Sequence, residues 1–78
     1  MKLLVRNLAR STTQHEVRQL LSEHGTVTEC TLVLDQETGL SKGFAFAEMP
    51  DVVEAKAAIA ALNLTTVAKN KIRVKVAQ

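Results

Sequence analysis

The chain is poor in the residues that usually build special sites. Its 78 residues include one cysteine, one proline, three glycines and two histidines, and neither tryptophan nor tyrosine. A single cysteine, Cys30, excludes an intrachain disulfide and the paired thiolates of a metal-carrying domain. The histidines, His15 and His24, lie apart from any cluster of cysteine or acidic residues, so no metal site is predicted.

Long apolar runs are also missing. The opening Leu3-Leu4-Val5 segment is cut short by Arg6 and Asn7, which is too early for a signal peptide or a membrane span. With no disulfide to form, the chain is predicted to lie in a reducing cytoplasm, without membrane contact. Its length predicts one domain over residues 1–78.

Catalytic patterns are equally scarce. The sequence offers no Ser-His-Asp arrangement and no paired carboxylates of the kind used in acid–base chemistry. Arg10 and Asn63 do not form the anion-binding loop that a small phosphatase would need. We therefore predict a protein that is not an enzyme and that needs no cofactor.

The aromatic residues present are Phe44 and Phe46, two positions apart. On a strand they share one face, whereas the small residues Gly43, Ala45 and Ala47 share the other. The small face is suited to close packing against helices, which predicts that both rings lie open to solvent. Exposed rings are costly for solubility, but they can stack on flat ligands such as nucleobases.

Hydrophobic periodicity predicts alternating strands and helices. Cys30, Leu32 and Leu34 alternate towards the interior, with a slip after Val27 that suggests a bulge. The predicted elements are strands over 2–8, 27–34, 42–49 and 71–76, a helix from a Thr13–Glu16 capping box to a stop at Gly25, a helix capped by Asp51 with Glu54 as its box partner, and a short hairpin within 63–70.

This order is the split βαβ arrangement, an α+β fold of ferredoxin-like topology (βαββαβ). Right-handed crossovers place the first and third strands in the middle of a four-stranded antiparallel sheet, with both helices on one face. The other face is predicted to be open. It carries Leu4, Arg6, Thr31, Val33, Phe44, Phe46, Arg73 and Lys75.

Two motifs in this order resemble those of the RNA recognition motif family. Residues 42–49, Lys-Gly-Phe-Ala-Phe-Ala-Glu-Met, fit its eight-residue motif except that Met49 replaces the last aromatic. Residues 3–8, Leu-Leu-Val-Arg-Asn-Leu, fit its six-residue motif except that Leu4 replaces the aromatic. The chain as a whole is similar to the family's small bacterial members.

The resemblance implies a binding function for the open face. Phe46 corresponds to a base-stacking residue, Phe44 to one that packs on sugars, and Lys42 to a phosphate contact. Leu4 takes the remaining stacking position. The RNA-binding residues expected from the resemblance and the strand pattern are Phe44, Phe46, Leu4, Lys42, Arg6, Arg73, Lys75 and Asn7, although Asn7 also suits a structural turn.

The predicted partner is single-stranded RNA, with weaker binding to single-stranded DNA. A leucine at position 4 offers no π face, and losing part of one stacking interaction lowers affinity by roughly 5- to 100-fold. Weak binding of low sequence specificity is therefore expected. The alternative is a protein-interaction module or a weak homodimer that uses the apolar patch of Leu4, Val33, Phe44 and Phe46.

Overall fold

A computed structural model describes residues 1–77. Within these residues the chain forms six strands and two helices. The four long strands and two helices appear in the predicted order, and a short hairpin precedes the last strand. The elements are β1 (Lys2–Arg6), α1 (Gln14–Ser22), β2 (Glu29–Leu34), β3 (Ser41–Glu48), α2 (Val52–Leu62), β4 (Thr66–Val67), β5 (Asn70–Lys71) and β6 (Arg73–Val76).

The main sheet has the strand order β2-β3-β1-β6, and all its neighbours are antiparallel. β1 and β3 therefore occupy the centre, as predicted. Strands β4 and β5 form the separate hairpin. The fold is the predicted α+β, ferredoxin-like arrangement with the first and third strands paired.

Both helices pack on one face of this sheet and close a single core. The side chains that face them alternate along each central strand, so Leu3 and Val5 are buried on β1, and Ala45 and Ala47 on β3. Cys30 and Met49 are buried in the same cluster, as predicted. The core residues are Leu3, Val5, Leu8, Val17, Leu21, Val27, Cys30, Ala45, Ala47, Met49, Ala55, Ala58, Leu62, Ile72 and Val74.

Each helix begins at the predicted cap. Thr13 Oγ1 accepts from the Glu16 N–H at 3.2 Å, and Glu16 Oε1 accepts from the Thr13 N–H at 3.0 Å, which completes the capping box. At α2, Asp51 accepts from the Glu54 N–H at 3.0 Å. The prediction that Glu54 completes a second box is wrong, because its carboxylate accepts from the Thr26 N–H instead.

Several predicted boundaries differ from the structure. β1 ends at Arg6 rather than at residue 8, because Asn7 adopts a left-handed backbone with φ of 59°. α1 ends at Ser22 with Glu23 as its C-cap, before the predicted stop at Gly25. β2 begins at Glu29 rather than 27, and the last strand begins at Arg73 because Lys71 belongs to the hairpin.

The irregularity predicted between Val27 and Cys30 lies elsewhere. Pairing between β2 and β3 shifts between Leu32 and Leu34. Because the shift interrupts the alternation, Leu34 is 49% exposed rather than buried as predicted. Val76, which alternation places on the same side of β6 as the buried Val74, is 37% exposed because β6 is an edge strand.

Within residues 1–77, neither helix has the length and apolar character needed to cross a membrane. The same residues contain no group of three or more His, Cys, Asp or Glu side chains arranged to hold a metal ion.

Candidate nucleic-acid interface

Phe46 lies at the centre of a row of side chains that crosses the open face of the sheet. Its Cα partners are Thr31 on β2 and Leu4 on β1, and Leu4 is in turn opposite Lys75 on β6. Neighbouring strands are about 4.8 Å apart, so this row places an aromatic, an aliphatic and a cationic side chain side by side. The three predicted residues Phe46, Leu4 and Lys75 are thus brought together.

Phe44 and Phe46 meet edge to face. Their ring centroids are 6.0 Å apart and the ring planes are inclined at 88°. Both rings were predicted to lie open to solvent, and each side chain is half-buried. Each ring shields part of its neighbour. The rest of each ring faces solvent on the side of the sheet opposite the helices.

Lys2 also belongs to this surface, although the sequence reasoning did not include it. Its Nζ lies 4.8 Å from the centroid of the Phe46 ring, a cation–π contact. Such contacts are worth about 0.5–1 kcal/mol at exposed sites. The alternation that placed Leu4 on the open face extends back to Lys2, so this signal was present in the sequence.

The surface beside Phe44 is an open depression with a basic lining. Its lining includes the Phe44 ring, Arg6 from β1, Arg10 from the loop that follows β1, and Lys42 from β3. Arg10 was missed as a binding residue because it lies in a loop, where no periodicity indicates which way a side chain points. The structure therefore gathers three cations at one end of the open face.

Gly43 is required at this end by both conformation and space. Its φ is 86°, which side-chain-bearing residues rarely adopt. A Cβ at this position would lie 3.2 Å from the carbonyl oxygen of Leu8 and 3.9 Å from Arg10 Nε. The bare backbone thus allows the loop that carries Arg10 to approach β3.

Asn7 makes structural contacts in addition to lining this depression. Its Nδ2 donates to the carbonyl oxygen of Lys71 at 2.8 Å, and its own carbonyl oxygen accepts from Asn70 Nδ2 at 3.2 Å. These bonds join the end of β1 to the β4–β5 hairpin. The turn role considered for Asn7 is therefore present, and its contact with RNA stays a prediction.

The cations of the open face have few acidic partners. Arg73 lies opposite Arg6 in the β1–β6 register, and Arg73 and Lys75 are both exposed. Among residues 1–77, the ion pair within 4.0 Å joins the Met1 amino group to Glu48, and none involves the cations of this face. Their charge is therefore available to an anionic ligand.

Lys42 faces one acid across the β2–β3 loop. The backbone N–H groups of Thr38 and Glu37 lower the pKa of Asp35, and the nearby Lys42 charge lowers it further. The hydrogen bonds are 3.0 Å and 2.8 Å long. Asp35 is therefore engaged mainly by its own loop, which holds the turn before Lys42.

The two carboxylates beside Phe46 are Glu29 and Glu48. They are direct Cα partners across β2 and β3, and both line an open depression that also contains Lys2, Thr31 and the Phe46 ring. Glu48 shares the open face of β3 with Phe44 and Phe46 through the alternation of the strand, whereas Glu29 was not identified from the sequence.

The architecture is that of a two-layer α+β domain whose sheet leaves one face free. The family model described as the RNA recognition motif matches residues 3–73, and the chain belongs to this family. The family and the names of the relatives indicate a binding domain rather than an enzyme.

A chloroplast 28 kDa ribonucleoprotein of spinach (Spinacia oleracea) is 40% identical over 77 residues, covering 99% of this chain and 33% of the relative. The chain spans 27–43% of the length of three such curated relatives.

Two solved structures match at high similarity. The crystal structure of RNA-binding protein PG1 has a TM-score of 0.95 and 36% identity, covering 99% of this chain and 93% of that one. A Sxl-lethal protein/RNA complex has a TM-score of 0.94 and 30% identity, covering 99% of this chain and 46% of that one. Both alignments cover nearly all of this chain.

Proposed function

We propose that this domain binds single-stranded RNA across the open face of its sheet. The observation that carries the proposal is the row Thr31–Phe46–Leu4–Lys75, which sets an aromatic ring among smaller side chains and ends in a cation. A base stacks on such a ring while the charge beside it takes a phosphate. The RNA-binding names and RNA-complex structure among similar proteins support this partner.

Phe46 is the main stacking platform in this proposal, and Phe44 packs against the sugars between two nucleotides. The edge-to-face contact of the rings fixes their orientation before RNA arrives, which lowers the entropic cost of binding. Lys42, Arg6, Arg73 and Lys75 contact phosphates. Their contributions are collective and weaken as salt is added.

Binding is expected to be weak and only slightly dependent on sequence. Leu4 supplies apolar contact but no ring at the second stacking position. In addition, Lys2 lies over Phe46 in the free protein and must move before a base can stack there. Both features reduce the affinity gained from a surface that is otherwise well arranged for two to four nucleotides.

The second candidate is a protein partner or a weak homodimer on the same surface. It is favoured by the apolar patch that Leu4 makes with Val33 and the two rings. The cations that surround this patch favour a polyanion instead, since they lack acidic partners within 4.0 Å in the described chain. We therefore place RNA first.

A titration of isotope-labelled protein with an unstructured RNA octamer tests the proposal. We expect shifts of Leu4, Phe44, Phe46 and β6 resonances, with those of Val53 on the outer side of α2 as an internal control. Raising the salt concentration should weaken binding. A DNA octamer of the same sequence should bind more weakly, because it lacks the 2′-hydroxyl groups.

Each outcome separates the two candidates. Shifts confined to the open face and reduced by salt support RNA binding. An absence of shifts with any RNA would overturn it. Shifts of the same residues that follow protein concentration without RNA would favour the homodimer.

A further inference from the structure

The two rings of the open face lie in different electrostatic surroundings. We call the depression of Arg6, Arg10, Lys42 and Phe44 the Phe44 end, and that of Lys2, Glu29, Phe46 and Glu48 the Phe46 end. None of the described residues that line the Phe44 end carries a carboxylate. The Phe46 end holds two.

The carboxylates lie within reach of a base stacked on Phe46. Glu48 is two residues further along β3, so its Cα is about 6.6–6.8 Å from that of Phe46 on the same face. Glu29 is one strand spacing to the side, opposite Glu48. A base is long enough to cover the ring and bring its edge to these side chains.

Placing two like charges in direct opposition destabilises a strand pair. Glu48 is partly compensated, because the Met1 amino group lies 3.3 Å from its Oε1 and Lys2 is its Cα partner on β1. Glu29 has no ion pair within 4.0 Å in the described residues. The pair repels phosphate, so the Phe46 end is poorly suited to the RNA backbone and better suited to the hydrogen-bond donors of a base.

We propose that the two ends divide the work of binding: the Phe44 end holds phosphate through Arg6, Arg10 and Lys42, and the Phe46 end selects guanine through Glu48 and Glu29. This inference rests on the proposed RNA binding. Guanine presents its N1–H and N2–H₂ donors side by side, which matches the two oxygens of a carboxylate. Uracil has a single donor on this edge, N3–H, which lies between two carbonyl oxygens. These oxygens and a carboxylate repel each other.

The test uses four RNA octamers: oligo-U, and oligo-U with one central guanine, adenine or cytosine. Dissociation constants are measured by fluorescence anisotropy over a series of salt concentrations. We expect the guanine octamer to bind about 5-fold more tightly than oligo-U, the low end of the range for a bidentate contact, which keeps the overall sequence dependence modest. Adenine and cytosine, each with one amino group, should fall between.

Variants at the Phe46 end should reduce the preference for guanine. The double variant Glu29→Gln, Glu48→Gln should bring the guanine and uracil octamers to within about 2-fold of each other, without changing the dependence on salt. Urea denaturation of this variant checks that it still folds, because it removes both the like-charge pair and the contact of Glu48 with the Met1 amino group. Glu23→Gln, at the exposed C-cap of α1, is the matched control.

Variants at the Phe44 end should lower overall affinity and its salt dependence but leave the preference for guanine unchanged. Arg10→Gln should reduce the slope of log K against log salt by about 0.7, the value for one phosphate contact on a single strand. The preference for guanine over uracil should remain. Lys56→Gln, on the exposed side of α2, is the control for removing one positive charge.

Failure of this inference is distinguishable from failure of RNA binding itself. If all four octamers bind equally, or if the double glutamine variant keeps the guanine preference, the selection by Glu29 and Glu48 is wrong. If Arg10→Gln leaves the slope unchanged, the phosphate site at the Phe44 end is wrong. If no octamer binds, the proposed function has failed.

Discussion

The two faces of strand β3 carry side chains of opposite size. Towards the helices the strand presents Ala45 and Ala47, which are completely or almost completely buried. Towards solvent it presents Phe44 and Phe46, each half-buried. A strand arranged for stability alone would bury its largest apolar residues, since stabilisation follows the apolar area removed from water.

The face covered by the helices therefore stabilises the fold. The open face leaves apolar surface exposed to solvent, where it does not contribute to the core. The neighbouring strand β1 repeats the contrast with a single residue type. Leu3 is 0% exposed against the helices, whereas Leu4 is only partly covered beside Phe46. Matched changes on the two faces can separate stability from binding.

The largest expected effect on stability comes from Leu3. Leu3→Ala should lower the free energy of unfolding by about 2–5 kcal/mol, because a fully buried leucine leaves a cavity in a small core. Leu4→Ala, one residue along, should cost much less while weakening RNA binding. Urea denaturation of both variants measures the difference, and equal costs would contradict the assignment of the two faces.

The double variant Phe44→Ala, Phe46→Ala should reverse this pattern. We expect the affinity for an RNA octamer to fall at least about tenfold, since stacking is worth about 1–3 kcal/mol per base, while cooperative thermal unfolding persists. Val53→Ala is the control, because that side chain is 77% exposed on α2. Unfolding of the double variant would mean that the rings support the core.

A smaller effect is expected from adding a third ring to the open face. Leu4→Phe would add a ring opposite Phe46 in the register of β1 and β3. Gaining one stacking interaction of about 1 kcal/mol should tighten RNA binding about fivefold. Unchanged affinity in the anisotropy titration would show that position 4 does not contact a base.

The smallest effect concerns two carboxylates in local hydrogen bonds, Glu16 in the cap of α1 and Asp35 in the β2–β3 loop. Hydrogen bonds from Thr13 lower the pKa of Glu16 below 4.5, and those from Thr38 and Glu37 lower the pKa of Asp35 below 3.8. Carboxylates with lowered pKa stabilise the fold above those ordinary values, and this contribution is lost as pH falls through the lowered ones.

The free energy of unfolding should therefore decline slightly as the pH is lowered through this range. Denaturant titrations between pH 6 and about pH 2 measure the decline, which spans the usual range of carboxylate titration. In the variant Glu16→Gln, Asp35→Asn the decline should be shallower. If the free energy of unfolding declines equally with pH in parent and variant, Glu16 and Asp35 do not cause the decline.

Regular alternation and capping chemistry made most of the fold predictable. The Thr13–Glu16 box and the Asp51 cap begin the helices where expected, and the alternation on β1 and β3 assigned both faces correctly. Errors arose where local conformation interrupts the pattern. The left-handed Asn7 ended β1 early, and the register shift near Leu32 left Leu34 exposed.

The same division holds for the binding surface. The binding-surface residues on regular strands lie on the face that alternation predicted. They are Phe44, Phe46, Leu4, Arg73 and Lys75. Arg10 could not be predicted, because a loop has no period, and Glu29 could not be paired with Glu48 until the register was known. Lys2 was a missed signal, since it shares the alternation of Leu4.

The sequence by itself determined the order of elements, the helix-facing side of each central strand and membership in the RNA recognition motif family. Those features follow from the spacing of side chains along the chain. Tertiary structure alone decided that Lys2 covers Phe46, that Arg10 joins Arg6 and Lys42, and that Glu29 faces Glu48. Contacts between distant segments depend on register and loop geometry, which no local pattern encodes.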